Sequence, residues 1–317
     1  MATVTGFIAR RIGQMILALF GVSVIVFALI HFVPGDPVRI ALGTRFDPDV
    51  YDALMKRSGL DRPLLEQFVA WLGSAVRGDL GVSFRSQQPV TGLVLERLPA
   101  TLTLAGAALF LAVGVGVPLG VISAVRQGSK LDYVATAASQ VGVSVPDFWA
   151  GIMYILLFSL TLGWLPPSGY VSLFDDPAGW LSHLILPATA VGLVSASIIY
   201  RFVRSAVLEA FNQDFTRTAR AKGLSSRRVL WDHVLPNAWI PIVTVIGLQL
   251  GFLLGGVVVV EILFAWPGIG RLAFVAVGDR DFTLLQGTVL YIAFMFLIIN
   301  LLVDIIYGWL DPRIRYD

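Results

Sequence analysis

The chain has 317 residues, of which 56% are hydrophobic and 14% charged, with a mean hydropathy of +0.80. That balance excludes a soluble domain and reads as an integral membrane protein. A net charge of +2 offers no basic surface for nucleic acid, and the lack of cysteine excludes a disulfide framework and thiolate chemistry.

Ile12 to Val33 is an uncharged run preceded by Arg10 and Arg11. At ~1.5 Å per residue it is long enough to cross a hydrocarbon core of ~30 Å. It leads into Pro34-Gly35-Asp36-Pro37 without a small-residue cleavage site, so residues 1–33 are expected to hold a retained first helix and not a signal peptide. Residues 34–97 form a long polar segment. Helix starts are expected there at Asp47-Pro48 and at Pro63, with apolar spacing through Leu64, Leu65, Phe68, Val69 and Leu72. This segment is expected to be a helical excursion on the outer face.

Five further spans are expected from the apolar intervals 98–125, about 134–161, 177–200, 234–260 and 282–303, for six transmembrane helices in all. Arg126, Lys130, Arg201, Arg204, Arg313 and Arg315 join Arg10 and Arg11 in the inner segments, against Arg271 and Arg280 in the short outer loops. That asymmetry puts both termini inside. Small residues four apart, Gly116 with Gly120 and Gly247 with Gly251 and Gly255, predict close helix packing or a dimer face.

The interval 134–161 carries Asp147 in its interior beside Pro146. A carboxylate deep in a span is costly and faces a partner or a watery cavity. Pro146 frees a backbone carbonyl and bends the helix. A local hydrogen bond, a salt bridge to an inner-loop arginine and a substrate contact all remain open for Asp147. Farther on, Glu261 ends its span just before Phe264-Ala265-Trp266-Pro267-Gly268, where Trp266 suits interfacial anchoring and Pro267-Gly268 a turn. His31, His183 and His233 are far apart with no ligand spacing, so no metal is assigned. The chain has no G-x-x-x-x-G-K-[ST] and no clustered catalytic set, so it reads as neither a P-loop ATPase nor an enzyme.

Between two apolar runs lies a polar, Arg-rich island from Asp214 to Ala238. Thr216 to Lys222 suits a short helix that stops at Gly223, where glycine can take the left-handed conformation. Ser225 or Ser226 can cap a second helix, Arg227 to Leu235, expected to end before Pro236. Arg217, Arg220, Lys222, Arg227 and Arg228 would keep this hairpin in water on the inner side.

The spacing of Ala219, Gly223 and His233-Val234-Leu235-Pro236, with Thr218 to Leu224 reading TARAKGL, resembles the EAA loop of bacterial ABC importer permeases of the peptide, nickel and glutathione branch. Arg217 stands where the general motif has Glu, a substitution common in that branch. The Pro34 turn, Gly78-Asp79-Leu80-Gly81-Val82-Ser83, the Trp266 turn and the Leu310-Asp311-Pro312 ending follow in the family's order, so the resemblance covers nearly the whole chain.

What the resemblance implies is an all-α, six-helix, MetI-like type I ABC importer permease, of the first-permease type for dipeptides, oligopeptides or nickel. It implies a core over 98–310 that includes a coupling loop at 205–237, and a cytoplasmic tail over 311–317. Arg217, Thr218, Ala219, Arg220, Ala221, Lys222, Gly223, Leu224 and Pro236 would couple to an ATPase. Pro146, Asp147, Glu261, Trp266, Pro267 and Gly268 would lie at the translocation path or gate, although Ser rather than Asp is expected at 147. The implied partners are a second homologous permease forming a heterodimer, two ABC ATPases that hold ATP and Mg, an extracytoplasmic solute-binding protein and membrane lipid. This chain would bind no cofactor itself and would sit in the bacterial inner membrane. An ion-coupled secondary transporter using Asp147 is the alternative.

Overall fold

The computed structural model describes residues 4–32, 39 and 47–310. The Pro34 turn and the ending from Asp311 lie outside the described residues. Among the described residues the regular structure is helical apart from one isolated antiparallel bridge, Val82 to Pro89. The order is α1 (Val4–Phe32), α2 (Pro48–Ser58), α3 (Leu64–Val76), α4 (Val90–Val125), α5 (Lys130–Ser144) and α6 (Asp147–Tyr154), which continues as a π-helical stretch Ile155–Thr161. Then come α7 (Pro177–Phe211), α8 (Asp214–Ala221), α9 (Ser226–Arg228), a second π stretch Val229–Val234, α10 (Leu235–Gly256), α11 (Val258–Leu263), α12 (Ile269–Gly278) and α13 (Phe282–Leu310).

Among the described residues, five helices are long and apolar enough to cross a membrane, and α5 with α6 makes a sixth if the bent pair is one span. The bend between the pair is 101°, which corrects the expectation of one span with Asp147 in its interior. Val145, held extended by the proline that follows it, ends α5, and Asp147 opens α6. A second correction concerns Pro236. The helix does not stop there, because Pro236 falls directly after a π-helical stretch, whose wider turn accommodates the missing N–H. The π stretch joins the two parts, with the Leu235 N–H donating five residues back to the Leu230 carbonyl.

The chain forms two compact units, one centred on 102–266 and the other combining stretches within 10–101 with 267–298. In the first, α7 is the central element. Its residues Ile199, Val203, Val207 and Ala210 share a core with Ala219, Val229, Val234, Ala238, Ile242 and Val245. A Cβ on Gly116 would stand 2.7 Å from the Ala196 carbonyl, and one on Gly120 2.8 Å from Val203, so both glycines are required by the close approach of α4 to α7. Gly247 likewise lies against Val303 of α13.

The second unit buries Leu80, Val90, Val94, Ile269, Ala276, Leu284 and Leu290 together. Its helices start at the expected signals. Asp47 caps α2 by accepting from the Asp49 N–H at 2.9 Å, and Pro63 precedes α3. From the apolar series on α3, Phe68 turns with Trp71 toward Phe27 of α1, at ring separations of 5.3 and 6.0 Å, while Leu64, Leu65 and Val69 are exposed. The Gly78 to Ser83 segment is a glycine-dependent turn. Gly78 and Gly81 have φ of 86° and 88°, and a Cβ on Gly81 would meet Thr283 at 2.8 Å.

Candidate functional site

The Arg-rich hairpin is built on a fixed underside and an open top. On α8, Thr216 and Ala219 are three residues apart and face inward, both buried. The Thr216 hydroxyl donates to the Ala210 carbonyl at 2.9 Å, and Ala219 joins the core formed by α7 and the second arm of the hairpin. Leu224, partly buried, packs on the same core. The other face carries Arg217, Thr218, Arg220, Ala221 and Lys222, all exposed, and the exposed Arg227 and Arg228 follow on α9. Arg217 reaches Asp214 at 3.7 Å, and the Arg220 guanidinium lies 5.5 Å from the centre of the Phe211 ring, a cation–π contact onto the end of α7.

Gly223 closes α8 in the left-handed conformation, with φ of 81°. Three consecutive N–H groups turn back onto the helix: Lys222 to Thr218 at 3.0 Å, Gly223 to Arg220 at 2.9 Å and Leu224 to Ala219 at 3.3 Å. They satisfy carbonyls that a helix end leaves open. Asn237, just after Pro236, donates its side-chain amide to the His233 carbonyl at 2.7 Å.

The Pro146 break is anchored on both limbs. Gly142 of α5 lies against Ser197 of α7, and Gly151 of α6 lies against Leu263 and Phe264. The half-buried Asp147 accepts a 2.7 Å hydrogen bond from the Phe148 N–H in the first turn of α6. Its charge therefore sits where a helix start presents unsatisfied N–H groups, and not in the middle of a helix. Glu261 and Trp266 are both buried within the first unit, and the Trp266 N–H donates to the Glu261 carbonyl at 2.8 Å. Trp266 is 0% exposed and packs edge-on against Tyr170 at 4.9 Å, so it is not an interfacial anchor. Ala265 between them has a φ of 52°, an uncommon conformation for a residue with a Cβ. Pro267 and Gly268 belong to the second unit, where Gly268 leads into α12 and the next N–H, of Ile269, donates to Thr101 at 2.8 Å.

Sequence reasoning missed Asp132 and Asp281, both buried. Each sits in a helix-capping pattern that could have signalled it. Ser129 accepts from the Asp132 N–H at 3.3 Å, three residues on, and Asp281 accepts from the Leu284 N–H at 3.1 Å.

A bundle of membrane-crossing helices, interrupted by a basic hairpin fixed to the most buried of its long helices, defines a multi-pass permease. Residues 116–316 match the family described as binding-protein-dependent transport system inner membrane component, and residues 4–105 match the N-terminal region described for such membrane components. The chain belongs to this family of transport permeases. It is 42% identical to the di/tripeptide transport system permease protein DppB of Pseudomonas aeruginosa, over 98% of this chain and 99% of that one. It is 40% identical to the dipeptide transport system permease protein DppB of Escherichia coli K12, over 98% of each. Among solved structures, the MetNI methionine ABC transporter in an inward-facing form matches with a TM-score of 0.57 at 20% identity, over 69% of this chain and 96% of that chain. An amino acid ABC transporter crystallised with histidines matches with a TM-score of 0.51 at 19% identity, over 70% and 94%.

Proposed function

We propose that this chain is the first-type permease subunit of an ATP-driven ABC importer that takes up dipeptides or oligopeptides. The observation that carries this reading is the hairpin, whose inner face is held on α7 by the Thr216 hydrogen bond and the packing of Ala219 while its basic face is left open to another protein. The names of the full-length relatives support peptide over nickel or glutathione as cargo. The chain works with a second homologous permease, two cytoplasmic ATPases that bind ATP and Mg, and an extracytoplasmic solute-binding protein that delivers cargo. The hairpin and both termini face the cytoplasm. Closure of the ATPases on ATP displaces the hairpin as a rigid lever and favours an outward-open packing, and hydrolysis lets the inward-open packing return. Nucleotide drives this shift only by binding the two packings unequally.

The test is co-purification of the tagged chain from its native membrane with an ATPase assay on the product. Recovery of a second permease and nucleotide-binding subunits, lost on Gly223→Val, is the expected result. Recovery of the chain alone, with uptake that follows an ion gradient, overturns the reading.

A further inference from the structure

A buried polar cluster of the first unit uses residues that no motif singled out. Asp132, 3% exposed at the start of α5, takes two hydrogen bonds from Arg204 of α7, Nε to Oδ1 at 2.7 Å and Nη2 to Oδ2 at 2.8 Å. The Gly128 N–H donates to Oδ2 at 3.0 Å, and the hydroxyl of Ser123 on α4 donates to Oδ1. Ser123 also meets the Tyr200 hydroxyl at 2.7 Å, which in turn meets Thr136 at 3.0 Å. One carboxylate thus joins α4, α5 and α7.

Its position along those helices gives the cluster a consequence. Arg204 precedes Phe211 by seven residues, about two helical turns or ~10 Å along α7. At that end of α7 the hairpin is attached through Thr216 on the Ala210 carbonyl and Arg220 over Phe211. Asp132 lies on the helix that ends at Ser144, directly before the Pro146 break. Apolar contacts between helices allow sliding with little loss. A bidentate ion pair on a buried carboxylate does not, because shear breaks two charge-assisted bonds and leaves the buried carboxylate without its cation.

We infer that Asp132 and Arg204 are positioning residues that make α5 move as one body with α7 and the hairpin. Displacement of the hairpin then reaches the Pro146 break undiminished, and the change of angle falls between α5 and α6. This inference rests on the proposed coupling role of the hairpin for its function, but the clamp itself is a matter of geometry. A merely structural ion pair would lower stability when broken and leave the motions of α5 and α7 together.

The chain has no cysteine, so cysteines introduced at exposed Gln213, at the start of the hairpin and outside its basic face, and at exposed Gln140 on α5 give a unique spin-label pair in this subunit. In the full complex the distance between them is expected to stay constant between the nucleotide-free and ATP-trapped states. With Asp132→Asn the distance distribution broadens, and solute carried per ATP hydrolysed falls by about tenfold. Arg204→Lys, which keeps the charge and loses the bidentate geometry, gives an intermediate width and serves if Asp132→Asn does not insert. A label distance that changes with nucleotide in the unsubstituted chain overturns the proposal, as does a distribution that neither variant broadens. Failure of ATP to drive uptake in the unsubstituted complex would instead count against the importer reading, and the nucleotide-free label widths would still decide the clamp.

Discussion

Ser83 donates its hydroxyl to the buried carboxylate of Asp281, 198 residues later, at 2.5 Å. The same carboxylate accepts from the N–H groups of Phe84, Arg85 and Leu284. One side chain therefore closes the glycine turn and caps α13. Asp281→Ala leaves those donors unsatisfied and is expected to destabilise the second unit by about 2–4 kcal/mol. Limited trypsin digestion reads the effect at exposed Arg85: cleavage there should accelerate in Asp281→Ala and less so in Asp281→Asn. An unchanged rate in Asp281→Ala would mean the turn is held by its backbone bonds alone.

The helices of this chain were legible because their signals are local. Apolar runs, Asp47-Pro48, Pro63 and Gly223 each act through neighbouring backbone, and the helix starts and the α8 stop follow from them, while the spacing of Gly116 and Gly120 announces a close approach without naming α7 as its partner. Features set by distant partners were not legible. Arg204 reads as one more topology-fixing cation until Asp132 is placed beside it, 72 residues away. Pro236 looks like a helix stop, yet the preceding π stretch carries the helix through it. Trp266 resembles an anchor for the membrane interface because nothing nearby in the sequence announces Tyr170 or the burial around it.

At Gly223 the constraint is conformational and not spatial, since a Cβ there would meet nothing within 4 Å while φ is 81°. Gly223→Ala is expected to cost about 1–2 kcal/mol in the left-handed conformation, and a β-branched residue more. Asparagine tolerates that conformation best among side chains of its size. Uptake and coupled ATPase activity should therefore rank Gly, Asn, Ala, Val, with membrane insertion retained throughout and activity abolished in Gly223→Val. Full activity in Gly223→Val would show that the bend is dispensable.

The local hydrogen bond of Asp147 makes a modest effect the expected outcome of neutralising it. A charge in the first turn of a helix contributes about 0.3–1 kcal/mol, so Asp147→Asn should keep uptake within about fivefold. Pro146→Ala is the more damaging change. It restores an N–H and frees Val145 from its extended conformation, which lets the 101° break relax toward a continuous helix. Vesicle uptake with and without an ion gradient checks both. Loss of all uptake in Asp147→Asn together with gradient dependence would favour an ion-coupled transporter.

The two faces of α8 should fail in different ways. Ala219 is buried against α7 and the second arm, so Ala219→Leu forces extra carbons into a filled seam at a cost of about 1–3 kcal/mol. It is expected to lower the melting temperature and to cost the ATPase subunits in co-purification, because the lever is lifted from its support. Arg217 is exposed, and its contact with Asp214 is a solvated one that contributes little to folding. Arg217→Ala should leave the melting temperature unchanged but weaken ATPase retention, and the weakening should shrink as salt is raised, since salt screens the charge that was removed. Equal loss of stability in both variants would mean that the exposed face is structural and that the partner docks elsewhere.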